Sequence, residues 1–151
     1  MNELRKTGLV LGLGLAIFSF AGFGPRRAAV PASRGSEALT RHIALLKTGT
    51  SQDKAAAAYW LGQQKSAAAP AVDPLVELLG DASEVNPAQY RTRTVLEKMT
   101  VGEEAAAALV NIGHSAIEPL IRVLKTSPEA EARKNAAWAL GALHDSGATQ
   151  I

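Results

Sequence analysis

The sequence predicts an all-α fold, a solenoid of about three short helical repeats, on three observations. Apolar residues make up 47% of the 151-residue chain but aromatics only 5%, so alanine and leucine carry the apolar content and thin, closely packed helices are favoured over a bulky-cored sheet. Long alternating β-branched runs are absent. Two segments also overlay without a gap: Val72-Asp73-Pro74-Leu75-Val76-Glu77-Leu78-Leu79 on Ile117-Glu118-Pro119-Leu120-Ile121-Arg122-Val123-Leu124. A chain of this length has room for one domain with a real core.

Each of those two segments has an acidic residue, a proline and apolar positions at i, i+3, i+4 and i+7. That is one stripe of a helix with proline in its first turn, where the missing N–H costs nothing. Leu39, His42, Ile43 and Leu46 repeat the stripe without the proline. These are the expected B helices. A second set, the A helices, is small-residue-rich: Ala57-Ala58-Tyr59-Trp60-Leu61-Gly62 pairs with Ala136-Ala137-Trp138-Ala139-Leu140-Gly141, and Ala105 to Gly113 aligns with Leu109 on Leu61 and Leu140. Small side chains let neighbouring backbones approach closely. Thr50 or Ser51 is placed to cap the first A helix, Thr100 with Glu103 forms a capping box for the second, and Ser127-Pro128-Glu129 opens the third. The expected order is B, A, B, insert, A, B, A, with a period of 31 from Leu109 to Leu140 and 48 from Leu61 to Leu109. The excess falls at residues 81–99, where Asn86-Pro87 is expected to begin an extra helix.

Residues 1–24 have a positive start (Arg5, Lys6), an uncharged run from Gly8 to Gly24, and Ser19-Phe20-Ala21 as a small-x-small site. This pattern predicts a secretory signal peptide over residues 1–21, hence a periplasmic or extracellular protein. The alternative is an uncleaved membrane anchor over residues 8–24, which is the only membrane contact expected. Residues 22–35 read as a flexible linker and 36–151 as the solenoid, with an incomplete last repeat. The pI near 9.1 comes from the leader. Residues 1–35 carry five Lys/Arg against Glu3, while the remainder carries 11 against 13 Asp/Glu. With no clustered basic surface, nucleic-acid binding is not expected. The absence of cysteine removes disulfides, thiolate metal sites and thiol nucleophiles.

The runs Ala-Ala-Trp-Ala-Leu-Gly at 136–141 and Ala-Leu-Val-Asn-Ile-Gly-His-Ser-Ala-Ile-Glu-Pro-Leu-Ile-Arg-Val-Leu at 108–124 resemble the short HEAT-like repeats of the phycobilisome-lyase type. The resemblance spans roughly residues 37–145 and is strongest over 104–145. It implies a right-handed α-α superhelix of the HEAT/armadillo kind, and it specifies fold better than function, since bilin lyases, a di-iron hydroxylase and regulatory subunits share it. The first repeat departs from the pattern at Gln64-Lys65, where an apolar residue and glycine are usual, and carries three extra residues before Pro74.

No catalytic, metal or cofactor constellation is expected. His42, His114 and His144 lack partners at ligand spacing, and the His-Glu pair that the hydroxylase of this fold uses is missing. Glu103-Glu104 and Glu129 with Glu131 fall in first helical turns, where acids meet the helix dipole favourably; Asp53, Asp73 and Asp81 read as cap and turn residues. No Gly-x-Ser-x-Gly elbow or phosphate loop is present in the repeats. Tyr59 and Trp138 share a register and are expected to pack between repeats, while Trp60 stands where other repeats have Ala108 and Ala139 and is the better exposed contact. The functional expectation is a non-catalytic module that binds a protein or peptide, with a bilin-lyase-like enzyme or enzyme accessory as the alternative. The resemblance puts Glu77 and Arg122 toward the inner curve, so Glu77, Arg122 and Trp60 are the candidate contacts. A last A helix without its B partner raises self-association through an open C-terminal layer.

Overall fold

The structure is a computed structural model that describes residues 32–93 and 98–148, with side chains for 34–93 and 98–145. The leader and the first part of the linker, residues 1–31, lie outside it. Six α-helices appear: α1 Ala32–Thr48, α2 Ser51–Gln63, α3 Val72–Glu77, α4 Val101–Ile112, α5 Ile117–Thr126 and α6 Ala130–Ala148. Helix α1 therefore starts four residues inside the expected linker. No helix among the described residues is long and apolar enough to cross a membrane.

The A helices α2, α4 and α6 stack in sequence as one layer, and the B helices α1, α3 and α5 form the other. Each B helix packs on the A helix that follows it: α1 on α2, α3 on α4, α5 on α6. This is an α-solenoid. Leu46, Leu75, Leu79 and Leu120 are fully buried from the B side, and Ala55, Ala58, Ala105, Ala106, Ala136 and Ala139 fill the A layer together with the equally buried Leu61 and Leu109. The small residues set the spacing. A Cβ on Gly62 would sit 3.0 Å from Ala108 Cα, and one on Gly102 would fall 2.5 Å from the Leu79 carbonyl oxygen and 2.8 Å from Asn135 Nδ2. That Asn135 amide donates to Leu79 O at 2.8 Å, a buried tie from α6 to the end of α3.

The start signals hold. Thr50 caps α2, with Asp53 N–H donating to Thr50 Oγ1 and Thr50 N–H donating back to Asp53 Oδ2. Thr100 and Glu103 make the same reciprocal box on α4. At α6, Ser127 Oγ accepts from Glu129 N–H, and Arg133 Nη1 donates to the carbonyls of Ser127 and Pro128. The odd Gln64-Lys65 pair ends α2. Lys65 has φ 53°, and it occupies the position that Gly113 (φ 91°) holds after α4. Both repeats need a left-handed residue there, and the first supplies it without glycine. The extra residues before Pro74 form a 3-10 turn, Lys65–Ala71, that runs straight into α3.

The insert differs from expectation. Over the described residues, the segment from Asn86 makes only a 3-10 turn at Pro87–Gln89, and the ends of the insert pair as two short antiparallel strands, β1 Glu84–Val85 and β2 Met99–Thr100. The cause is local. Tyr90 and Arg91, consecutive in the chain, both reach the same carboxylate on α4, and adjacent residues of a helix cannot face one way. Trp138 also departs from expectation, being 56% exposed instead of packed between repeats. Its counterpart Tyr59 is half-buried because the insert lies over α2, bringing Tyr90 and Arg91 against its ring.

Two substitutions test this packing with opposite signs. Gly102→Ala is expected to lower stability by about 2 kcal/mol, the steric cost exceeding the ~1 kcal/mol helix-propensity gain. Lys65→Gly is expected to raise it by about 0.5–1 kcal/mol by relieving the left-handed strain. Urea unfolding of both variants reads the two effects directly.

Candidate functional site

The insert is tied to the A layer at several points. Gln52 on α2 brackets the backbone of Asn86, its Nε2 donating to the carbonyl at 2.9 Å and its Oε1 accepting from the N–H at 3.1 Å. Gly102 N–H donates to Asp81 O, and Val101 N–H to Ser83 O. The main tie is chemical. Glu104, in the first turn of α4 as expected, is 1% exposed. Its carboxylate accepts from Tyr90 Oη at 2.8 Å, Arg91 Nε at 3.2 Å, and Arg91 Nη2 at 2.7 and 2.8 Å. Burying a carboxylate costs several kcal/mol unless charge and hydrogen bonds compensate, and this fork-like arrangement supplies both.

The cluster shapes its members electrostatically. Burial, reinforced by the negative charge of Glu104, pushes the Tyr90 phenol far above its ordinary range, so it stays a donor. Burial works against the Arg91 cation, but the hydrogen bonds and charge of Glu104 outweigh it and its pKa is raised. The guanidinium also lies 5.0 Å from the Tyr59 ring centroid, a cation–π contact. With its oxygens taken by Tyr90 and Arg91, Glu104 holds the insert in place.

Tyr90 and Arg91 thereby form a ridge with a hollow on each side. The larger, about 540 Å³, lies between α4, α6 and the insert; it is walled by Met99, Ala107 and Trp138, with Arg91, Lys98, Glu103, Lys134 and Asn135 around them. The smaller, about 280 Å³, lies between α1, α2 and the insert, lined by His42, Leu45, Asp53, Ala56, Ala57, Tyr59, Trp60 and Tyr90. In it His42 stacks on Trp60 at 3.9 Å with an 8° interplanar angle, and the His42 ring nitrogen Nδ1 hydrogen-bonds Ala38 O at 2.8 Å. Asp53 is held below the usual carboxylate range by its Thr50 hydrogen bonds.

Of the three residues singled out from the sequence, only Trp60 lines a hollow, and its stack on His42 leaves it half-buried. Glu77 and Arg122 are exposed on α3 and α5, in the B layer, and line neither hollow. Sequence reasoning passed over Trp138 and the Tyr90-Arg91-Glu104 cluster. A signal for the latter existed: Glu104 falls on the apolar stripe of α4 between Val101 and Ala108, all three buried. An acid on a buried stripe demands a cationic partner from outside the helix. Among the described residues no three His, Asp or Glu side chains gather as a metal site.

The arrangement of stacked small-residue helices meets independent support in family comparison. Residues 53–81, from α2 through α3, match the PBS lyase HEAT-like repeat, and residues 112–143, from the end of α4 through α6, match the Armadillo/beta-catenin-like repeat. The chain is a HEAT-repeat protein. No curated protein and no solved structure matches it. The lyase-type match falls on the first repeat despite its Gln64-Lys65 departure, and the later segment, where the resemblance is strongest by eye, matches the armadillo description instead.

Glu104→Ala in this HEAT-repeat protein is expected to cost about 2–4 kcal/mol, since it strands Arg91 and Tyr90 without an acceptor. Hydrogen exchange across 84–91 should accelerate with it. Tyr90 also predicts an alkaline signature. A folded-state pKa above the unfolded value of about 10 gives stability that is intact below pH 10 and lost as pH rises beyond it. The advantage of wild type over Tyr90→Phe, measured by urea unfolding from pH 8 to 11, should therefore shrink toward the alkaline end.

Proposed function

We propose that this HEAT-repeat protein is an exported, non-catalytic interaction module whose working surface is the larger groove between α4, α6 and the insert. The observation that carries the reading is Trp138, 56% exposed on the wall of that groove. Exposed tryptophan beside an apolar concavity is the residue type that dominates binding energy at protein interfaces. Asn135, next to it on the groove wall, is pinned to Leu79 O, and the opposite wall is clamped through Arg91 and Glu104, so the surface is pre-formed. The partner is a protein or peptide. The B-helix face around Glu77 and Arg122 is the weaker candidate, because neither residue borders a concavity described here. Export rests on the Arg5-Lys6 start, the uncharged Gly8–Gly24 run and the Ser19-Phe20-Ala21 site.

Both parts have direct tests. Fractionating cells that express the full chain and sequencing the mature N-terminus should give a periplasmic or secreted form beginning at Gly22; an intact, membrane-bound N-terminus would replace export by anchoring. A photo-crosslinker in place of Trp138 should capture one discrete partner band, whereas the same group at Glu77 or Arg122 should not. Trp138→Ala should leave stability within about 0.5 kcal/mol and weaken the captured partner at least tenfold. Crosslinking from Glu77 and Arg122 with none from Trp138 would move the working surface to the B layer. Crosslinks only to a second copy, with a dimer in sedimentation, would make the groove a self-association face.

A further inference from the structure

We infer that the larger groove takes an extended acidic peptide segment carrying one large apolar side chain, an inference that rests on the groove being the working surface proposed above. The apolar half of the argument is a matter of register. When Leu61, Leu109 and Leu140 are superposed, Tyr59, Ala107 and Trp138 share one position. The first and third repeats carry a ring there, and the middle repeat carries alanine. The volume of the missing ring is what opens between Met99, Ala107 and Trp138. An incoming leucine or phenylalanine side chain would occupy it, covered on one side by the indole.

The charged half follows from which ions are free to respond. Among the described residues, Arg91, Lys98 and Lys134 line the groove with the carboxylate of Glu103. Arg91 is committed to Glu104, and Glu103 accepts from Thr100 N–H at 2.8 Å as a cap. What remains for a ligand is two ammonium groups, on Lys98 and Lys134, whose side chains are 71% and 59% exposed. Each now pairs with a carboxylate that does not line the groove, Glu84 and Glu131 respectively. Such exposed pairs contribute little, so a ligand carboxylate can compete with Glu84 and Glu131 for the two lysines. The combination selects an apolar anchor flanked by acids. A nucleic-acid backbone would want a longer row of cations.

The test uses the full chain with Trp60→Phe, which leaves Trp138 as the remaining indole of the two in the sequence. The probe is a blocked peptide of phenylalanine flanked on each side by two glutamates, titrated while Trp138 emission is followed. Saturable binding is expected, at least tenfold weaker when glycine replaces the phenylalanine. It should also weaken at least tenfold when Lys98→Glu and Lys134→Glu are combined, and several-fold when salt is raised past the point where exposed charges are screened. Circular dichroism of the double variant should be unchanged, since both lysines are exposed. Equal binding of a lysine-flanked peptide, or no saturable binding up to millimolar concentration, would overturn the inference. So would phosphatidylglycerol vesicles that perturb Trp138 where the peptide does not. A Trp138 crosslink to a cellular protein combined with a silent acidic peptide would sink this inference and leave the interaction reading standing; silence in both experiments would end both.

Discussion

The close approach of the A helices is the constraint from which the rest of the molecule follows. With Gly62 set so near Ala108 that an added Cβ would stand 3.0 Å from its Cα, the crossing of α2 on α4 has room for alanine and glycine and little else. Large apolar volume must go elsewhere. Leucines of both helix sets, Leu46, Leu75 and Leu120 of the B helices and Leu61 and Leu109 of the A helices, take the core, while the aromatic residues of the A helices, Tyr59, Trp60 and Trp138, keep part of their surface exposed. Hollows lined by rings are therefore a by-product of tight stacking, arising where the A layer looks outward.

The insert divides that face into hollows. It is irregular in backbone yet fixed in place, because its contacts are of the kind that tolerate no slack. A carboxylate that is 1% exposed must have its partners or lose several kcal/mol, so Tyr90 and Arg91 are held wherever Glu104 is. Once they are placed, the segment from Asp81 to Arg91 runs across α2 and α4, and its ridge divides one broad face into two hollows. The same cluster covers Tyr59, which explains why two residues in one register, Tyr59 and Trp138, differ so much in exposure.

What was legible in the sequence is what periodicity encodes. The stripes at Val72–Leu79 and Ile117–Leu124 became α3, with the turn after it, and α5; the cap at Thr50 and the Thr100–Glu103 capping box formed; and the order of A and B helices matched. The first candidate contacts were drawn from that regular part, and two of the three, Glu77 and Arg122, line neither hollow. Periodicity says which residues of a helix share a face, but it is silent on which face a non-repeating segment will cover. The shared register of Tyr59 and Trp138 points to packing between repeats, and proline after asparagine is a helix start signal. The insert is not helical there because a tertiary ion pair between Arg91 and Glu104 outweighs local propensity, and Trp138 is exposed because the insert covers Tyr59 and not its counterpart. Only Glu104 itself, an acid on the buried stripe of α4, carried a trace of that ion pair.

The position shared by Tyr59, Ala107 and Trp138 separates what is common to the repeats from what is particular to this chain. Family resemblance, whether to the lyase-type repeat over 53–81 or to the armadillo repeat over 112–143, measures the common part and so reports the solenoid. The site is built from the differences: a ring covered by the insert in one repeat, an alanine that leaves a gap in the next, and an uncovered ring in the third. Had all three repeats carried alanine there, the A face would be smooth. Had all three carried rings, the gap over Ala107 would be filled. The break in the repeat pattern is at the middle unit of this chain, beside the insert and next to the exposed indole.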